Sequence, residues 1–589
     1  MKRLALIASA AFACVLATPA AAQTHFDNLE GISVSRDGRV DRFAGMVVSE
    51  DGRVLELLDF GDRPRTSIAF RVDMEGRVVI PGIVDSHTHV MALGLSKLSL
   101  DLSDTTSLED ALARIAAYAE EYPLRPWLVG RGWNEERWGL GRLPTAAELD
   151  AVVGDRPVVL TRADGHAVWA SSAALAAGGV TAQTADPAGG QIVRRGGTGP
   201  GSRAPAGVLI DNAMQLVTAQ IPPPRAVDAD LALHEAQIEF FRHGVTAVAD
   251  MGTSVEDWMT FRRAGDAGRL RLRIMAYADG VPAMLLIGGP GPTPWLYEDR
   301  LRLNGVKLFL DGALGSRGAR LKSPYADQPG HRGLSLLDGT QLRNLMSRAS
   351  MDGFQVAIHA IGDAANQDAL DAIAQLAEDF PGDRRWRIEH AQIVDPADIA
   401  NFARHGIIAS MQPEHQASDR LMAEARLGPD RLRGAYAWAS IAATGAPLAF
   451  GSDAPVERAD ALSGLAVAIS RTDAAGEPEG GWQPDETISR EAALAAYTAG
   501  GAFAGFAEGR FGRLAVGERA DFAVLSDDPL ALNADGIRAT QVLQTWIAGQ
   551  RVWALGEDAP AETLPETLPE NVPGLPQEAD IYGPVPEGR

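Results

Sequence analysis

Eight short apolar runs, separated by helix-patterned stretches, constrain this chain more than any other feature. They fall at 78–84, 245–250, 272–277, 305–310, 355–358, 386–388, 407–411 and 447–450. Helical periodicity between several of them, as at 364–378 and 396–403, gives an alternation of strand and helix. Such an alternation packs as a parallel α/β sheet, because each crossover helix must bury its apolar stripe on the sheet. Eight strands are what a closed (β/α)8 barrel of TIM type needs.

The chain is interrupted at both ends and once inside. Roughly 95–233 is too long for one crossover and predicts a subdomain inserted after the first barrel strand. Within it, 186–207 is rich in Gly and reads as a mobile loop. Residues 23–80 alternate apolar and polar, with turn signals at Asp37-Gly38, Asp51-Gly52 and Glu75-Gly76, and read as short antiparallel strands. The same texture returns over 507–555, so the two ends are expected to pair into one small β-domain around a barrel spanning 81–506. The stretch 556–589 is Pro- and Glu-rich and reads as a solvated tail or an extended strap.

Lys2 and Arg3, the apolar stretch 4–16 and the small residues Ala20-Ala21-Ala22 have the order of a secretory leader, with cleavage before Gln23. The expectation is a periplasmic or secreted protein with no lasting membrane insertion. Lipidation at Cys14 is disfavoured, since the apolar run continues past it. Cys14 is the only cysteine, so cleavage would leave no thiol for catalysis, disulfides or metal. The formal net charge of -23 argues against nucleic acid as a partner and leaves a small molecule as the expected one. Oligomeric state is left open.

Chemistry-bearing residues gather at the ends of the runs, where barrel enzymes keep their sites. In Asp85-Ser86-His87-Thr88-His89, residues two apart point the same way, so His87 and His89 both face the mouth. Two imidazoles so placed suit a divalent cation such as zinc; an exposed turn is the plain alternative. Lys307 lies inside an apolar strand, where an ammonium is costly unless paired or modified. A pair with Asp311 accounts for it without function, and a carboxylated lysine that bridges two cations accounts for it with one. His359 and His390 each end a run, as hydrogen-bonded core histidines do, but two on successive strands beside His87 and His89 shift the balance toward ligation. Asp453 follows the eighth run, either capping a turn or holding metal and taking a proton from water. No Gly-x-Ser-x-Gly elbow or phosphate-binding fingerprint competes.

Together the segments 81–89 (PGIVDSHTH), 305–312 (GVKLFLDG), 359–363 (HAIGD), 388–392 (IEHAQ) and 451–455 (GSDAP) resemble the amidohydrolase superfamily. Within it they are similar to the amidohydrolase-3 group, which includes N-substituted formamide deformylases. The segment 512–525 (GRLAVGERADFAVL) resembles that group's return to its β-domain. The resemblance implies one or two divalent metals, zinc for preference. His87, His89, Lys307 and Asp453 would hold the more buried ion, and Lys307, His359 and His390 the more exposed one. It also implies cleavage of a C–N amide-type bond, with Asp453 moving the proton. An ester or lactone cut at the same site, and a hydrolase fold kept only for binding, are the other readings. In the insertion, Trp133, His166 and Trp169 are candidates for a substrate pocket, with core packing as the alternative for the aromatic residues. Arg317 is a candidate for a substrate carboxylate or for a local surface pair.

Overall fold

A computed structural model describes residues 23–557 except 124, 164, 166, 188–189 and 197–202. The segment expected as a leader, the stretch beyond Glu557 and the candidate His166 lie outside the described residues. The described residues up to Leu555 belong to one compact unit.

Eight parallel strands form the central sheet: β1 (Ile83–Thr88), β2 (Val245–Thr253), β3 (Arg273–Asp279), β4 (Leu301–Phe309), β5 (Gln355–Ala360), β6 (Arg387–His390), β7 (Ile408–Met411) and β8 (Leu448–Phe450). Each is paired with the next in sequence order. They are near-continuous apolar runs because both faces are covered, one by barrel-interior side chains and the other by helices. The helix Asp363–Leu376 shows the outer layer, burying Ala365, Ala369, Leu370, Ala372, Ile373 and Leu376. Past the strand ends, Asp453 N donates to His87 O at 2.7 Å and His89 N to Ala454 O at 2.9 Å, tying the last strand's loop to the first strand.

One expected run divides. Residues 78–81 end the long strand Phe70–Pro81 of the β-domain, and the barrel begins only at Ile83. Gly82 is the joint: a Cβ there would lie 2.1 Å from Thr246 Oγ1, so only glycine lets the chain pass so close to β2. The helix expected over 396–403 is shorter, Ala400–Arg404, preceded by turns.

The β-domain is built from both ends of the chain. Phe522–Leu525 pairs antiparallel with 78–81, and Val542–Ile547 and Gln550–Ala554 extend the sheet. Phe26, Phe522 and Trp546 fill its core, with ring centroids 5.2–5.4 Å apart. Not every pairing is antiparallel as expected. Thr24–Val34 runs parallel to Phe70–Pro81, because the strands between them carry the chain back to the same end before it returns. The β-domain is locked to the barrel by Arg273 on β3, which is fully buried and pairs with Asp521 through Nε–Oδ2 at 2.5 Å and Nη2–Oδ1 at 2.9 Å. Removing one partner of such a pair strands a buried charge, a cost of about 3–5 kcal/mol.

The insertion carries its own six-stranded sheet between the helices Val90–Leu98 and Ala226–Arg242. The stretch expected as a mobile loop is in part a hairpin. Gly190–Arg194 pairs antiparallel with Pro205–Asp211. Among the described residues, no helix is long and apolar enough to cross a membrane.

Candidate metal centre

At the C-terminal mouth of the barrel, β1 delivers His87 and the loop after β8 delivers Asp453. Their approach depends on Gly451, where a Cβ would stand 2.4 Å from His87 N. Asp85 staples the two segments: Oδ1 accepts from His87 N and Ser452 N, and Oδ2 from Ser452 Oγ at 2.5 Å. Burial pushes the Asp85 carboxyl up to about 6 against these donors. His89, just past β1, is fixed from behind by the start of the next helix, whose Val90 N donates to buried Asp250 at 2.8 Å.

Asp453 Oδ1 then lies 3.4 Å from His87 Nε2 and 3.1 Å from His89 Nε2, yet accepts no well-formed hydrogen bond among the described residues. His87, His89 and Asp453 present ligand atoms within 4.8 Å of one another, and so do His390, His415 and Asp453. Asp453 is common to both sets. A buried acceptor left unsatisfied beside imidazole nitrogens is what a divalent cation accounts for, and the His/carboxylate donor set suits one.

The tautomer of His87 is set from the barrel interior. Nδ1 stands 2.6 Å from Glu389 Oε2, and a carboxylate can only accept, so Nδ1 carries the proton and Nε2 offers its lone pair to the site. Glu389 is gripped by Arg387, Nε to Oε1 at 2.5 Å and Nη2 to Oε2 at 3.1 Å, and all three side chains are fully buried. Burial opposes the Glu389 charge most strongly, but the Arg387 guanidinium, the His87 hydrogen bond and the Lys307 charge together outweigh it and hold the carboxyl far below its ordinary range. Burial, then the Lys307 charge, takes His87 down to about 3, so the ring stays neutral. A carboxylate that orients a ligating histidine is typically worth 10- to 100-fold in metal affinity. Glu389→Gln is therefore expected to weaken zinc binding by about that factor, read by competition with a chelating dye. An unchanged affinity would show that Glu389 serves packing alone.

Lys307 points inward from β4, with Nζ 3.2 Å from His87 Nε2. Burial lowers its amine to about 8, against the raising influence of Glu389 and Asp453. It does not pair with Asp311. That carboxylate instead accepts Ile361 N, Gly362 N and Arg320 N at 2.8–3.0 Å and faces His359 Nε2 at 3.5 Å. His359 and His390 sit side by side, ring centroids 4.6 Å apart. His390 Nδ1 lies 2.9 Å from Gln412 Oε1, so Nδ1 donates and Nε2 keeps the lone pair.

The structure thus brings His87, His89, Lys307, His359, His390 and Asp453 to one mouth. The candidates for substrate contact fare differently. Trp133 and Trp169 are fully buried in the insertion's own core, with indole N–H groups donating to Leu160 O and Thr145 O. Packing accounts for both, and the expected pocket role is corrected. Arg317 pairs with Asp327 at 2.8 Å, the surface alternative. An aromatic side chain that does reach the mouth is Phe309, 36% exposed, its ring 5.4 Å from the His359 ring and 5.0 Å from Lys307 Nζ. Sequence reading missed it, along with Glu389, Arg387 and His415. Glu389 and Phe309 stand inside the motif segments, each two residues from a candidate ligand or beside one, so strand alternation was the available signal. His415 lies beyond β7, inside the helix Pro413–Leu427, where no strand periodicity marks it.

A barrel of this kind with this mouth defines a class of metal-dependent hydrolase. The structure described as an uncharacterized metal-dependent hydrolase from Pyrococcus horikoshii OT3 superposes with a TM-score of 0.71 at 25% identity, covering 87% of this chain and 99% of that one. Residues 71–553 match the model of the Amidohydrolase family, and the chain belongs to that family. Protein LONG AFTER FAR-RED 3 of Arabidopsis thaliana is 34% identical over 82% of this chain and 83% of its own length. The N-substituted formamide deformylase of Arthrobacter pascens is 28% identical over 81% and 89%. The protein is a hydrolase.

Proposed function

We propose that this enzyme hydrolyses the C–N bond of a small N-acyl or N-formyl amine, with zinc as its metal. The observation that carries the reading is the convergence of His87, His89 and Asp453 around one carboxylate oxygen that makes no hydrogen bond among the described residues. His87, His89 and Asp453 would hold one ion, with Lys307 as a carbamate between it and a second ion at His359 and His390. When bound, the metal supplies Lewis acidity toward water and the substrate carbonyl.

The chain's own residues do the rest. Asp453 takes the proton of the attacking water and returns it to the departing nitrogen, so the C–N bond breaks to an amine and a carboxylic acid. Glu389 keeps His87 aimed, with its proton on Nδ1 and its Nε2 lone pair toward the site. Phe309 offers an apolar wall beside His359, which suits an apolar substituent on the acyl or amine side. The formamide activity that names the Arthrobacter relative supports a short acyl group.

A panel of N-alkyl and N-aryl formamides, acetamides and matched esters, run with zinc-loaded protein, tests the reading. Turnover of amides above esters is expected, and turnover of esters or lactones alone would overturn it.

Carbamylation of Lys307 is supported by its position, since a free ammonium 3.2 Å from His87 Nε2 would occupy space that a cation needs. Lys307→Ala is expected to lose both metal and rate, with a short carboxylic acid restoring part of each. A variant that keeps its full metal content would remove the lysine from the centre.

A further inference from the structure

His415 carries an observation that no part of this mechanism uses. It is the third residue of the helix Pro413–Leu427, which starts directly after β7, and it is 6% exposed. Its ring stacks on His390 with centroids 6.0 Å apart and 28° between planes. Nε2 is buried, makes no hydrogen bond among the described residues, and lies 3.6 Å from Asp453 Oδ2, beyond hydrogen-bond reach.

The other ring nitrogen decides what Nε2 offers. Gln392 Nε2 stands 3.2 Å from His415 Nδ1. An amide nitrogen can only donate, so Nδ1 accepts and the proton of the neutral ring is on Nε2. His87 and His390 are held the opposite way. Each gives its Nδ1 proton to an oxygen, of Glu389 or Gln412, and turns a lone pair outward. Two tautomers therefore share one small site: lone pairs where a cation would sit, and an N–H beside Asp453. A buried N–H with no acceptor is costly, and proteins keep one where an acceptor arrives later.

We propose that His415 is a further catalytic residue, a fixed N–H donor that binds the oxygen of the scissile carbonyl as negative charge develops on it. The proposal rests on the reading of the site as one that cleaves an acyl C–N bond. Water's oxygen bonds to the acyl carbon, and the carbonyl π pair moves onto oxygen, where His415 Nε2–H donates. The water proton passes to Asp453 and on to nitrogen. The oxygen pair then re-forms the carbonyl as the C–N bond breaks, its electrons leaving with nitrogen. A donor fixed in advance at that oxygen pays no reorganisation cost in the transition state. The start of the 413–427 helix, with its dipole positive end, adds to the same field.

The test uses the full chain loaded with zinc, and methylphosphonate as a charged tetrahedral probe. Zinc content is measured by elemental analysis and probe affinity by calorimetry, for the wild type and for His415→Leu, His415→Asn and His415→Gln. The expected result is unchanged zinc in all four proteins, with probe binding weakened on the order of 10- to 100-fold in the Leu and Asn variants. His415→Gln, whose amide N–H reaches further than that of Asn, should recover part of the affinity. Two substitutions of different polarity separate loss of the donor from loss of folding. Zinc lost from the Leu and Asn variants would show the ring to be a ligand, with Gln392 reversed, and would overturn the proposal. Unchanged probe affinity in those variants, or a zinc-loaded wild type that does not bind the probe, would overturn it too. A wild type that takes up no zinc would instead overturn the reading of the site beneath it.

Discussion

Asp453→Asn is expected to fold, to keep at least one metal, and to lose on the order of 10²-fold or more in kcat. The asparagine retains the shape and one oxygen, so the contacts with His87 and His89 that place the loop survive. What it cannot do is accept a proton. Asp453 is also held by its backbone, whose N–H donates to His87 O at 2.7 Å, an interaction the substitution leaves alone. The loss should therefore fall on kcat far more than on KM. Steady-state kinetics beside elemental analysis read both halves of this expectation. Near-normal kcat with normal metal content would move the proton to another group, with His359 and His390 the first to be examined.

Stripping the divalent metal with a chelator should take hydrolysis to the detection limit, and added zinc should restore it. Among the described residues no other nucleophile activator stands at the mouth: the chain's single cysteine, Cys14, lies outside them, and Ser86 and Ser452 hydrogen-bond to Phe450 O and Asp85. Metal should also stabilise the fold, because ligands drawn from β1 and the loop after β8 meet only in the native state. At free zinc of about 100 times Kd the stabilisation is about 2.7 kcal/mol, seen as a higher Tm. Full activity in protein shown to be metal-free would end the metal reading altogether.

Much of this was legible in the sequence because parallel barrels write themselves as apolar runs, and because barrel chemistry sits where the runs stop. His87, His359, His390 and Asp453 follow that rule, while Lys307 stands out as a charge inside an apolar run. The rule fails where side chains act through others. Glu389 sits in a run whose alternation marks it as interior, but nothing in one dimension says that the ring it orients belongs to a residue 302 positions away. Gly82 hides the end of one strand and the start of the next, so two sheets read as one run. The tryptophans misled for a related reason. An aromatic cluster in an inserted segment has the same composition whether it lines a pocket or fills a core, and only burial separates the two.

Closure of the barrel and assembly of its mouth are one event. Thr88 Oγ1 donates to Ala454 O across 366 residues of sequence, at 3.0 Å, and the neighbouring backbone bonds of His87 and His89 cross the same seam. A growing chain therefore holds no complete centre until its last barrel strand has been made. Half-folded forms cannot run stray hydrolysis or trap metal in the final geometry, since the donors of β1 wait unpartnered. Contacts of such long sequence separation also make folding slow. The order of synthesis itself thus acts as a safeguard, with reactivity switched on by the final stitch.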